Sequence, residues 1–436
     1  LNFLPPPPYY GRPQMLAGHE FRSIFQLVVK MLSPAYAPLI RNYNLRAKLG
    51  DVLFDVFLPP GYDDDDDRHG RRDQVPDVVS RDPKTGQTYL LSDASAQETL
   101  AASLLLLYGE VEHTGTYEKI GHRAKIASLL KYLWESREHR PTFRRITQDK
   151  DSFIKFANGI MNENNALISE AMEFLSAMKL AESQMDDTQT WNSLPEDQRE
   201  TITSRYDEHK KNLKRILPLC SKALKLLGVL NTDSDIRTLF LKEELMCSKL
   251  VAMLLHILTK LIGSRGLDLK VKNPEELEFR PKEMLRDLCA IFAIFIDRVE
   301  FQHECAKSGY YKADLMDKAV STCHRLQLLT GQSLAAFMKM PELVAQAKEV
   351  VAADEDLYAD APDEFMDPLM ATFMKDPVFL PTSNNIVDRS TITQHLLNEQ
   401  SDPFNRKELT MDMVKPAEKL KKEMTEWLEA KKGASS

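Results

Sequence analysis

The sequence predicts a mainly α chain: an elongated α-solenoid of irregular helical repeats, followed by a small α+β domain. Three observations carry this. From Ser92 to about Val351, apolar residues recur at helical spacing in segment after segment, with hardly any strand-like alternation. Residues 1–355 are too many for one bundle core to grow around, which favours an extended stack of helices over its rival, a compact bundle. After Asp354-Glu355-Asp356 the character changes, because prolines at 362, 368, 377, 381, 403 and 416 crowd a short region and forbid a long helix until the end. The expected domains are 1–355 and 361–433.

Taken in order, residues 1–15 carry the run Pro5 to Tyr10, stiff and extended. It is either a ligand for a proline-reading domain or, more plainly, a connector packed on the first helices. Two helical patterns follow between Ala17 and Leu58, separated near Ser33-Pro34. The run from Asp63 to Asp73 is dominated by charge and cannot bury enough apolar area to offset its ordering entropy, so a mobile acidic loop is expected over about 60–90. It lacks the alternating oxygen ligands and turn glycine of a calcium loop. Ser92 or Asp93 caps a helix carrying Leu100, Leu104 and Leu107. Another runs through Ile126, Leu129, Leu130, Leu133 and Trp134, and a third, opened by Pro281, through Leu285, Leu288, Phe292, Phe295 and Ile296. The irregular period is that of armadillo-like stacks.

Composition excludes several functions. The formal charge is −8, so there is no basic excess to displace counterions from phosphate, and general nucleic-acid binding is excluded. No segment reads as a signal peptide or membrane span; the most apolar stretch, Leu250 to Ile262, is broken by His256 and Lys260 and reads as a buried helix too short to cross a bilayer. The five cysteines (220, 247, 289, 305 and 323) are odd in number and lack C-x-x-C spacing, which points to reduced thiols in the cytoplasm or nucleus. No phosphate-binding glycine loop or nucleophile elbow occurs. His303 with Cys305, and Cys323 with His324, lack a third partner and read as ordinary residues. The chain begins at Leu1 rather than Met, which reads as the C-terminal portion of something longer.

In the last domain, a loop with Pro368, Leu369 and Met370 precedes two short strands, Val378-Phe379-Leu380 and Ile386-Val387, around the turn Pro381 to Asn385. Asp388 caps a helix with Ile392 and Leu396 inward. A second loop, Ser401 to Arg406, leads to a last helix with Leu420, Met424, Trp427 and Leu428 on one stripe. Two loops around a small sheet and a central helix form the topology of a RING domain, whose two zinc ions need eight Cys and His ligands. This module has no cysteine and one histidine, His395, so zinc is excluded by arithmetic. The loops must be fixed by polar pairs among residues such as Asp376, Asp388, Arg389, Asp402 and Asn405. Asp367 and Pro368 read as the solvent-side neighbours of Leu369, while Phe365, Phe373, Met374 and Trp427 read as packing.

The stretches DPLM, MKDPV, DRSTI and DPFNR resemble the U-box family, the zinc-free relatives of RING ligases. Beyond them, NLRAKL at Asn44 to Leu49, GEVEHTG at Gly109 to Gly115, KYLW at Lys131 to Trp134 and LKVKNPEE at Leu269 to Glu276 resemble the C-terminal half of ubiquitin conjugation factors of the elongation type. The acidic run Asp63 to Asp67 departs from that pattern and is given no function. The resemblance implies a ligase that forms no covalent intermediate. A ubiquitin-loaded conjugating enzyme docks on the U-box, and holding the ubiquitin tail near the attack geometry lowers the entropic part of the barrier. By the same resemblance Leu369 supplies the first-loop contact, Pro403 and Phe404 the second, His395 lines the groove, and Arg406 is the bridging arginine, a planar fork of five donors. Leu369 or Phe404 could instead be core, and Arg406 a loop-fixing ion-pair partner. The implied partners are a conjugating enzyme, ubiquitin and ubiquitinated substrates, and a AAA-type segregase, with no cofactor. Two alternatives stay open: an adaptor joining ubiquitinated clients to the segregase with little ligase activity, and a purely structural scaffold.

Overall fold

The computed structural model describes residues 19–59, 62, 89–242, 244–263, 272, 274–277, 279–358, 360–398 and 401–434. The proline run Pro5 to Tyr10 and the acidic segment Asp63 to Asp73 lie outside the described residues, and with them the expectation of a mobile loop.

The chain divides into two compact units. The first comprises Leu1–Phe240, Ala252–Phe295 and Lys312–Met338, and the second Leu241–Val251, Ile296–Tyr311 and Lys339–Ser436. As the apolar periodicity predicts, helix follows helix. The series opens with α1 (His19–Leu32), α2 (Tyr43–Val52), α3 (Tyr89–Ser92), α4 (Ala94–Glu110), α5 (Thr116–Glu135) and α6 (Arg140–Arg144). The longest are α7 (Lys150–Asp186) and α9 (Glu196–Leu230), joined through α8 (Thr188–Ser193). Then come α10 (Ser234–Lys242), α11 (Glu244–Ile262), α12 (Pro281–Phe295), α13 (Val299–Lys307), α14 (Ala313–Arg325), α15 (Gly331–Met338) and α16 (Met340–Tyr358). Several starts follow capping chemistry. Of the two candidates at α4 it is Asp93 that caps, accepting from Ser95 N–H at 3.0 Å, while Asn42 caps α2 and Asp149 caps α7. Ile296, expected on α12, lies one residue past its end and is still buried.

In the first unit α7 and α9 run antiparallel: Tyr206 donates to Glu182 at 2.8 Å and Phe174 stacks on His209 with ring centroids 4.9 Å apart. Helix α4 crosses α7 at two glycines. A Cβ on Gly109 would meet the Lys155 carbonyl carbon at 3.2 Å, and one on Gly159 would lie 3.6 Å from the Gly109 Cα. Next to this crossing Arg123 is buried, donating to Tyr108 O (3.2 Å) and Glu112 (2.8 Å) and pairing with Glu163. A charge so placed is tolerable only with these partners.

One expectation is corrected in α11. Leu245–Ile262 is, by length and composition, long and apolar enough to cross a membrane, because the apolar helix extends five residues ahead of the stretch judged from Leu250. Its apolar residues, among them Leu250, Met253, Leu254, Ile257 and Leu258, are buried within the protein, as the helical spacing predicts.

The second unit holds the first turns of α11, α13, α16 and the C-terminal module. There β1 (Pro377–Leu380) pairs antiparallel with β2 (Asn385–Asp388) and, on its other side, with β3 (Lys415–Pro416), giving the order β2-β1-β3. Both anticipated strands are present. The two-residue β3 was not anticipated; its Pro416 has no N–H to donate and sits on an edge strand, where none is needed. Helix α17 (Arg389–Asn398) follows β2 and α18 (Glu418–Ala434) ends the described chain. One apolar cluster gathers Val378, Leu380, Val387, Ile392, Leu396, Leu409 and Val414. A second gathers Phe365, Met374 and Met424 with Phe373, Leu420 and Trp427 around them, the packing role expected of these rings. Tyr358, at the end of α16, stacks on Phe373 (4.4 Å), which stacks on Trp427 (6.0 Å).

Candidate functional site

Burial of an aliphatic side chain contributes about 1.5–3 kcal/mol, and the module has few to bury, so its loops depend on polar bracing. Asp388 does part of this. Its Oδ1 accepts from Ser390 N–H at 2.9 Å, capping α17 as expected, and its Oδ2 accepts from Lys375 N–H (2.7 Å) and Asp376 N–H (2.9 Å), closing the exit of the first loop. Asp376 in turn accepts from Arg389 (2.6 Å) and Lys421 (2.7 Å), joining α17 to α18; the Lys421 ammonium and the Arg389 guanidinium hold its carboxyl below the usual carboxylate range.

The two loops are built on one pattern, thirty-five residues apart in sequence. In the first, Asp367 N–H donates to Thr372 O (2.7 Å), Ala371 N–H donates to Asp367 O (2.8 Å), and Asp367 Oδ1 accepts from Leu369 N–H (2.8 Å). In the second, Asp402 N–H donates to Lys407 O (2.8 Å), Arg406 N–H donates to Asp402 O (2.8 Å), and Asp402 Oδ1 accepts from Phe404 N–H (2.8 Å). Isolated bridges close both bends, Met366 to Phe373 and Ser401 to Glu408. The fifth residue of each turn is left-handed, Ala371 at φ 52° and Arg406 at φ 60°. Both aspartates are fully buried. Their second oxygens reach the scaffold differently: Asp367 Oδ2 accepts from Asp388 N–H at 2.7 Å, whereas Asp402 Oδ2 accepts from the Thr382 hydroxyl in the β1–β2 turn. Burial pushes the Asp402 carboxyl up, but the Thr382 and Ser383 hydroxyls and the Phe404 and Asn405 N–H groups outweigh it and leave it below the usual range.

This places the anticipated residues and corrects one. Leu369 and Phe404 occupy the same position in the two loops, and both are exposed, at 40% and 38%, so neither is core. Pro403 is half-buried. His395, on α17, is half-buried with a buried Nε2 that has no hydrogen-bond partner among the described residues. Arg406 is exposed and makes no ion pair among the described residues. Asp367, expected on the solvent side, is instead the buried clamp of the first loop. Beside a proline in a polar stretch it looked like surface; the repeated Asp-Pro-apolar triplet at 367 and 402 was the signal that could have exposed it. All five cysteines are buried; burial raises the thiols of Cys220 and Cys305, while a hydrogen bond from Cys289 lowers that of Cys323 to about 7, and none is presented to solvent.

Paired loops clamped by aspartates on a small sheet and central helix define a U-box, and residues 361–433 match the U-box domain family model. Residues 9–345 match the model described as ubiquitin elongating factor core, and the chain belongs to that family. It is 30% identical over 408 residues to the Ubiquitin conjugation factor E4 A of Bos taurus, covering 90% of this chain and 36% of the relative. It is 31% identical over 434 residues to a Probable ubiquitin conjugation factor E4 of Arabidopsis thaliana, covering 96% and 39%. With the E4 ubiquitin-protein ligase UFD2 of Saccharomyces cerevisiae it shares 31% identity over 348 residues, covering 76% and 35%. The chain thus spans well under half the length of these relatives.

Proposed function

We propose that this chain is a ubiquitin-protein ligase of the chain-elongating type. It binds a ubiquitin-loaded conjugating enzyme through its U-box and promotes isopeptide transfer to lysines of ubiquitin or substrate, with no covalent intermediate of its own. The observation that carries this is the exposed pair Leu369 and Phe404 at matching loop positions, with Arg406, two residues after Phe404, exposed and making no ion pair among the described residues. Family membership and the names of the relatives agree with it. In this reading the two apolar side chains and Pro403 anchor the conjugating enzyme, His395 lines the contact, and the Arg406 fork donates to the conjugating enzyme and the ubiquitin tail together. Partners are therefore a conjugating enzyme and ubiquitin. The association with a AAA-type segregase and residence in cytoplasm and nucleus are further proposals that rest on family resemblance; coprecipitation of the ATPase and imaging of the tagged chain test them.

The decisive measurement is single-turnover discharge of ubiquitin from the conjugating enzyme. Arg406→Ala should keep conjugating-enzyme affinity within about threefold while slowing discharge on the order of tenfold to a hundredfold. Leu369→Ala should weaken the affinity itself by roughly tenfold, as loss of an anchor does. Equal discharge by wild type and Arg406→Ala would refute the bridging role, and unchanged affinity in Leu369→Ala would refute the docking surface.

A further inference from the structure

We propose that Thr382, in the turn between β1 and β2, is a positioning residue for Arg406: through Asp402 its hydroxyl holds the second loop in the bend that presents the guanidinium. The inference rests on the reading of Arg406 given above and extends it to a residue outside both loops.

The two loops differ in one connection. In the first, the second carboxylate oxygen is satisfied by the main-chain N–H of Asp388, a donor no substitution other than proline removes. In the second, the equivalent oxygen depends on a side chain, Thr382 Oγ1. Asp402 is fully buried, so an oxygen deprived of that donor becomes an unsatisfied charged acceptor, and the carboxylate must turn towards the neighbouring Ser383 hydroxyl or towards water to recover a partner. That movement cannot stay local. The same residue's carbonyl accepts from Arg406 N–H and its N–H donates to Lys407 O, both at 2.8 Å, so Asp402 and Arg406 share one closed ring of hydrogen bonds. Thr382 grips the loop a second time, since Asn405 Nδ2 donates to the Thr382 carbonyl at 2.7 Å, and Asn405 Oδ1 accepts from Lys407 N–H at 2.9 Å. Arg406 is thus bracketed by Asn405 and Lys407, both tied through these bonds to one threonine. Leu369 has no such connection: its loop is held by Asp367 and Asp388. Loosening Thr382 therefore disturbs the arginine more than the first-loop anchor.

The test uses the whole 436-residue chain, with discharge of a ubiquitin-loaded conjugating enzyme and its binding affinity measured side by side. Thr382→Val keeps shape and loses the donor; Thr382→Ser restores it. The expected result for Thr382→Val is roughly tenfold slower discharge at saturation with an affinity loss of no more than about threefold, since Phe404 and Pro403 ride on the same loop, near-wild-type rates for Thr382→Ser, and no added loss in the saturated rate when Thr382→Val is placed on Arg406→Ala. A wild-type rate in Thr382→Val overturns the proposal. So does an equal loss in the Arg406→Ala background, or affinity falling in step with rate, each of which marks general loosening of the domain. Should Thr382→Val fail to fold, Asn405→Ala, which cuts the second grip, carries the same expectations. If wild type and Arg406→Ala discharge alike, it is the functional reading that fails, and this inference falls with it.

Discussion

Arg406 occupies a backbone conformation that suits it poorly. A residue with a Cβ in the left-handed region costs about 1–2 kcal/mol, and glycine or asparagine is the usual occupant. Ala371 fills the matching place in the first loop, so the turn itself asks for no arginine. Side chains held in such conformations cluster where they are used. Arg406→Gly is therefore expected to leave stability unchanged or raise it by up to about 1 kcal/mol while discharge collapses, and Ala371→Gly to show the same stability effect with discharge intact. Thermal melts and discharge assays on the two variants check this; a destabilised Arg406→Gly would show that the arginine serves the turn. The candidates themselves were named from DPLM and DPFNR in the sequence. The left-handed φ was not legible there, because it follows from hydrogen bonds that close around a buried aspartate.

Helices were the most legible elements because burying one face imposes a period that survives in the sequence: α4, α5 and α12 fall where their leucines recur. What hydropathy conceals is how closely two helices approach. At Gly109 the nearest atoms across the α4–α7 crossing are main chain, Lys155 C at 3.2 Å and O at 3.3 Å and Phe156 N at 3.3 Å, which cannot rotate aside as a side chain would. Gly109→Ala should therefore lower the free energy of unfolding by about 1–3 kcal/mol through overpacking, despite the gain in helix propensity. A denaturant titration reads this directly; a stabilised variant would mean the crossing can open at no cost. The strand β3 was illegible for a different reason: Lys415 and Pro416 are too few to carry alternation, and they pair only because β1 offers a free edge.

On the scale of the whole molecule, the composition already pointed away from thiol chemistry, and burial supplies the reason. All five cysteines lie in the helical part at no more than 2% exposure, and none lies in the U-box. Brief treatment of the native chain with iodoacetamide, quenched before the other components are added, should leave discharge at its untreated rate and label no cysteine until denaturant is present. Loss of activity with one labelled site would revive a covalent route. The polar clamps bear on the same question. RING loops are folded around thiolate-held zinc, and both the sulfurs and the metal are targets for oxidants and chelators. Here two aspartates do that work with bonds that neither agent attacks. Under the proposed function, loops held in this way are expected to keep docking a conjugating enzyme through peroxide or chelator treatment that would open a zinc-held RING.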